Sequence, residues 1–151
     1  MLDGLDRRLL RHMQDDPTLS VPELADRAGM TAARAARRLE KLRESGILRG
    51  VRADIDWRAL GYEVEVSLRF TLDKTQRNAF DEFIAAAREV PEVIEIQTFL
   101  GKVDVRLNVL ARDMAHYQHL YRSRILTLPH ISDIESLMDV ARLKSQDRLP
   151  I

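Results

Sequence analysis

Leu5, Leu9 and Met13 recur at every fourth position near the start of the chain, the spacing that lines one face of a helix. Asp3 stands where the cap of that helix belongs, with Asp6 three residues on, and the pattern stops before Asp15-Asp16-Pro17. Ser20 and Glu23 enclose Pro22, a capping box with proline in the first turn. The helix they open carries Leu24, Ala25 and Ala28 inward and ends at Gly29, a residue that accepts the left-handed conformation. Thr31 caps a third helix at once, so no room is left for a loop. Alanines at 25, 28, 32 and 35 let the two helices approach closely at a steep crossing. The pattern predicts a helix-turn-helix.

In the third helix Ala35, Leu39 and Leu42 point into the core, and Gly46 ends it. Residues 47–55 are rich in β-formers around Gly50 and carry Arg49 and Arg52, which predicts a short wing or pairing strand after a recognition helix. Asp56 to Gly61 predict a single capped turn acting as a linker. From Glu63 the period changes to two: Val64, Val66, Leu68, Phe70 and Leu72 alternate with polar residues, the mark of a half-buried strand. Asp73 and Gln76 predict the start of a helix that buries Phe80, Phe83, Ile84 and Ala87. Strands over 93–100 and 103–110 flank a hairpin turn at Gly101-Lys102, Asp113 caps another helix, and a last strand runs from about Ile131 to Arg142. The order βαββαβ is ferredoxin-like. The expected class is α+β, with a winged helix-turn-helix over residues 1–55, a linker over 56–62, a ferredoxin-like unit over 63–142 and a tail over 143–151. Two helices cover one sheet face. The other, expected to show Phe99, Leu110 and Leu137, calls for a partner subunit.

Charge sharpens the first half only. Lys+Arg and Asp+Glu are 24 each, so the formal net charge is zero. Between Thr31 and Arg52, however, Arg34, Arg37, Arg38, Lys41, Arg43, Arg49 and Arg52 face only Glu40 and Glu44. Such a run is commonly a solvated helix face. On the second helix of a helix-turn-helix it suits the major groove, where arginine meets guanine O6/N7 or a phosphate. A three-helix protein–protein module is the alternative at this point.

Catalytic chemistry finds little support. The chain has no cysteine, which removes disulfides, thiolate metal sites and cysteine nucleophiles. His116 and His119 lie three apart without a further ligand at metal spacing. Ser132 and Ser136 lack a recognisable His/Asp arrangement, and no phosphate-binding glycine loop occurs. No enzyme activity, cofactor or metal is expected. The amino terminus does not read as a signal peptide and no apolar run is long enough to span a bilayer, so the expected place is the cytoplasm, with no membrane partner.

The two halves in order carry a resemblance. Leu5-Asp6-Arg7-Arg8-Leu9-Leu10, Leu24-Ala25, and the stretch from Arg37-Arg38-Leu39 through Leu42 to Gly46-Ile47-Leu48 resemble the leucine-responsive/asparagine (feast/famine) family of bacterial and archaeal transcription factors. So do the Gly101-Lys102-Val103-Asp104 turn and Leu128-Pro129 before the last strand. Departures are Ala33 and Arg34 at the start of the recognition helix and Val103 in the turn, where an aromatic residue is common.

The resemblance implies a winged helix-turn-helix, a RAM-type effector domain, homodimers through the sheet that assemble to tetramers or octamers, and an amino acid or related effector near the Gly101–Asp104 turn between subunits. Double-stranded DNA with pseudo-palindromic half-sites is the implied partner. On this reading Thr31, Arg34, Arg37, Arg38, Lys41 and Arg49 contact DNA. Thr98, Gly101, Lys102 and Asp104, with Ser136 and Leu137 of a neighbouring subunit, line the effector site, Asp104 supplying a carboxylate for the ligand's ammonium. The runner-up is a ligand-independent architectural DNA-binding protein. A metabolite-binding or enzymatic ferredoxin-like domain with a helical interaction module is the alternative of another class.

Overall fold

A computed structural model of the chain describes residues 2–144 and 148–151. It divides into two compact units, Met1–Asp54 with Lys144–Ile151, and Ile55–Leu143.

The first unit holds three helices, α1 (Gly4–Asp15), α2 (Val21–Ala28) and α3 (Ala32–Glu44). Their starts follow the local signals. Asp3 and Asp6 form one reciprocal capping box, Ser20 and Glu23 another, and the Thr31 side chain accepts from the Arg34 amide. Gly29 ends α2 at φ 70°, a left-handed turn that glycine adopts without a Cβ penalty. Leu9, Leu24, Ala25, Ala28, Ala35, Leu39 and Leu42 form the core. Three of these are the buried alanines Ala25, Ala28 and Ala35 of α2 and α3, whose small side chains suit close helix packing. The expected strand over 47–55 is not formed. A strand needs a ladder partner, and no described segment of the chain pairs with this one; Val51 and Ile55 stay exposed.

The second unit is a four-stranded antiparallel sheet with two helices. Its elements are β1 (Val64–Leu72), α4 (Ala79–Arg88), β2 (Val93–Thr98), β3 (Val105–Ala111), α5 (Met114–Leu120) and β4 (Ile131–Met138), and the strand order is β2-β3-β1-β4. A π-helical turn, Tyr121–Ile125, extends α5. Val66, Leu68, Phe70, Val105, Leu107 and Val109 meet Phe83, Ala87, Leu120 and Ile125 in the core. Three local expectations shift. Asp73 accepts from the Thr75 amide in a tight turn, so α4 begins only at Ala79. Its inner face is therefore Ala79, Phe83 and Ala87, with Phe80 outward. β4 stops at Met138, and Arg142 beyond its end donates to Glu65.

The uncovered sheet face is polar rather than apolar. Arg106 pairs with Glu95 at 2.7 Å, while Asn108 and Arg142 both donate to Glu65 at 2.8 and 2.9 Å. Leu110 and Leu137 are minor parts of this face, and Phe99 lies beyond β2 in the hairpin. At its centre Ser67 Oγ and Arg106 Nε are buried without a hydrogen-bond partner among the described residues. Among the described residues no helix is long and apolar enough to cross a membrane.

Candidate nucleic-acid interface and effector turn

The exposed side of α3 divides its cations by use. Arg34, Arg37 and Lys41 are exposed and line a groove of about 580 Å³ with Ser45 and Ile47. No ion pair among the described residues engages them. Arg38 is different: its Nη1 lies 2.7 Å from Asp3 Oδ2 and 2.7 Å from Asp6 Oδ1. The Asp6 amide and the Arg38 guanidinium hold the Asp3 carboxyl down to about 2, and the two carboxylates raise the guanidinium. Arg38 thus staples α3 to the start of α1 instead of offering its charge outward with its neighbours. Sequence reasoning missed this pairing because Asp3 and Asp6 read fully as a cap. Thr31 is engaged by its own helix, and Arg49 is exposed beyond α3.

The β2–β3 turn is held to the sheet by its aspartate. Asp104 is 6% exposed; the Leu72 amide donates to its Oδ2 at 2.8 Å and Lys74 Nζ lies 2.7 Å from Oδ1. Its own amide donates to the Phe70 carbonyl, and its carbonyl accepts from Phe99. Burial alone would raise the carboxyl, but Lys74 and the Leu72 amide more than offset this and leave it below its ordinary value. Asp104 is therefore a buried brace whose two oxygens already have partners, not an open carboxylate. Lys74, which no sequence pattern marked, is its counter-ion.

Thr98, Gly101 and Lys102 are exposed around the same turn, and the Lys102 carbonyl accepts from Thr71 Oγ1. A Cβ at Gly101 would meet open space. Ser136 and Leu137 do not act together in one chain. They are consecutive on β4 and so face opposite sides of the sheet: Ser136 lies 3.5 Å from the Tyr117 hydroxyl on the helix side, and Leu137 pairs with Ser67 on the open side.

Comparison with known proteins gives this geometry a family. Residues 65–149 match the model of the Lrp/AsnC ligand binding domain, and residues 2–49 match a winged helix-turn-helix DNA-binding model. The chain belongs to the Lrp/AsnC family. It is 32% identical to the DNA-binding transcriptional activator DecR of Escherichia coli K12, over 100% of this chain and 99% of that one. An AsnC family regulator from Agrobacterium tumefaciens superposes with a TM-score of 0.88 at 31% identity, covering 99% and 97% of the two chains. A Neisseria meningitidis regulator solved with L-methionine superposes at 0.90 with 25% identity and the same coverage. This Lrp/AsnC protein is a sequence-specific DNA-binding regulator and not an enzyme. Its second unit is the family's ligand-binding domain, ferredoxin-like in topology.

Proposed function

We propose that the protein binds pseudo-palindromic operators as a homodimer or larger assembly, and that an amino acid adjusts that binding. Residues 1–55 are its DNA-binding domain, 56–62 a linker, 63–142 the effector and assembly domain, and 143–151 a tail. Arg34, Arg37 and Lys41 read the major groove or its phosphates, with Thr31 and Arg49 beside the backbone. The observation that carries this is the contrast on α3: three neighbouring exposed cations have no carboxylate partner among the described residues, while Arg38 between them has two. Arg38 is then a positioning residue for the recognition helix.

The open sheet face joins two copies. Its charged and polar row, Glu95 with Arg106, Glu65 with Asn108, and Arg69 with Glu135, is the surface a second copy would meet. The effector sits at Thr98, Gly101 and Lys102, with Leu137 from a neighbouring subunit and Asp104 bracing the turn from behind. The likeness to a regulator solved with L-methionine supports an amino acid as the ligand class. One feature favours a ligand-independent, architectural reading: the Asp104 carboxylate that would meet an ammonium is already paired.

The test uses duplexes selected from genomic DNA by the protein itself. Arg34→Ala/Arg37→Ala/Lys41→Ala should abolish retention of those duplexes while the fold persists. Retention at wild-type affinity would overturn the assignment. Titrating L-methionine and other amino acids into the complex separates the two readings, and light scattering reads the assembly.

A further inference from the structure

The last residues of the chain make a specific contact with the first helix. Arg148 Nη2 lies 2.7 Å from Asp15 Oδ1. The Leu149 amide donates to Gln14 Oε1 at 2.5 Å, and Gln14 Nε2 donates back to the Leu149 carbonyl at 3.3 Å. Arg11 Nε donates to the Ile151 oxygen at 2.8 Å. Arg11, Gln14 and Asp15 stand at i, i+3 and i+4, one face of α1. Three kinds of contact meet there: a charge pair, a side-chain amide that satisfies both backbone groups of one residue, and a guanidinium on a main-chain oxygen. Arg148 also lines a groove of about 450 Å³ with Leu10, Met13, Leu48 and Val51.

Side chains alone do not define this contact, since Leu149 points outward. Backbone recognition by Gln14 does, and it fixes the segment as a peptide bound lengthwise. The opposite end of α1 carries Asp3 and Asp6, which hold Arg38 of the recognition helix. One helix therefore grips the recognition helix at its start and the chain's last residues at its end.

We propose that this face of α1 is a receptor for the chain's own segment 148–151, and that the strap so formed completes the DNA-binding unit. Tethering raises the segment's effective concentration, so contacts too weak to hold a free tetrapeptide hold this one. By ordering α1, the strap steadies the Asp3–Arg38–Asp6 clasp and with it the pose of Arg34 and Arg37.

The chain has no cysteine, so Pro150→Cys accepts one nitroxide label per chain in the full protein. The expected spectrum is broad and immobilised. Arg11→Ala/Gln14→Ala should convert it to the sharp spectrum of a released segment. Arg148→Glu, which leaves the helix untouched and repels Asp15, should shift it the same way. A sharp spectrum in the otherwise unaltered chain, or a broad one in both variants, overturns the receptor. The unlabelled Arg148→Glu chain should also bind a mixed-sequence duplex at low salt severalfold more weakly. Equal affinity with the tail released would overturn the strap's part in DNA binding while leaving the family's DNA binding intact.

Discussion

Replacing Asp104 by alanine removes two contacts of very different weight. The Leu72 amide donates to Asp104 Oδ2 at 2.8 Å in a buried setting. A hydrogen bond to a charged acceptor contributes roughly 1.5–3 kcal/mol, and a buried donor left unmade costs about as much. Lys74 is 68% exposed in its side chain, so solvent screens that pair to about 0–1 kcal/mol. The expected loss is therefore roughly 2–3 kcal/mol, most of it from the orphaned amide. For a unit of this size that lowers the melting temperature by roughly 10–20 °C. Trp57 is the only tryptophan and belongs to the second unit, so urea unfolding followed by its emission reads this unit directly. Asp104→Asn keeps an acceptor for Leu72 and loses the Lys74 charge; it should cost about 1 kcal/mol. The wild-type advantage over Asn should also depend on pH. A native carboxyl held below its ordinary value stabilises fully above the unfolded value near 4 and loses that contribution as pH falls through the native one. The two proteins should therefore converge in acid. An alanine variant within about 0.5 kcal/mol of wild type would refute the brace.

Arg37→Ala and Arg38→Ala should separate on α3. Arg37→Ala lowers the slope of log affinity against log salt by about one if it meets a phosphate, or relaxes base preference by about 1–3 kcal/mol if it meets a base edge. Arg38→Ala should leave that slope unchanged and lower the thermal stability of the first unit, read by circular dichroism; a reduced slope would place Arg38 on DNA after all. His130 sits at φ 63° with its Nε2 2.6 Å from Glu82. His130→Gly should be more stable than His130→Ala by about 1 kcal/mol, because only alanine keeps the left-handed strain; equal urea midpoints would contradict this. Phe83 is fully buried with its ring 4.9 Å from that of Phe70. Phe83→Ala should cost about 3–5 kcal/mol in the same Trp57 assay, and a loss under about 1 kcal/mol would show that the core lies elsewhere.

The sequence alone determined what depends on contacts within one turn or along one strand. Asp3 with Asp6, Ser20 with Glu23 and Thr31 with the Arg34 amide each act over three residues, so the helix starts were legible as spacing. The alternation from Val64 to Leu72 determined which face of β1 is buried, because side chains on a strand must alternate. Where a choice rested on a distant partner, the same reading went astray. Asp73 resembles a cap, but its neighbour Thr75 captures it. The segment 47–55 has strand composition, but no described part of the chain offers it a ladder.

The tertiary structure alone decided which charges are free. Arg34, Arg37 and Arg38 are one residue type on one side of α3, and the place of Arg38 nearest the buried stripe does not say what it meets, yet Arg38 meets carboxylates 35 and 32 residues away. Asp104 likewise reads as an open ligand group until Leu72, 32 residues distant, donates to it. The grip of Gln14 on Leu149 spans 135 residues. The physical reason is range: capping and periodicity act through a few covalently linked residues, whereas a charge is satisfied by whatever the fold places within about 3 Å.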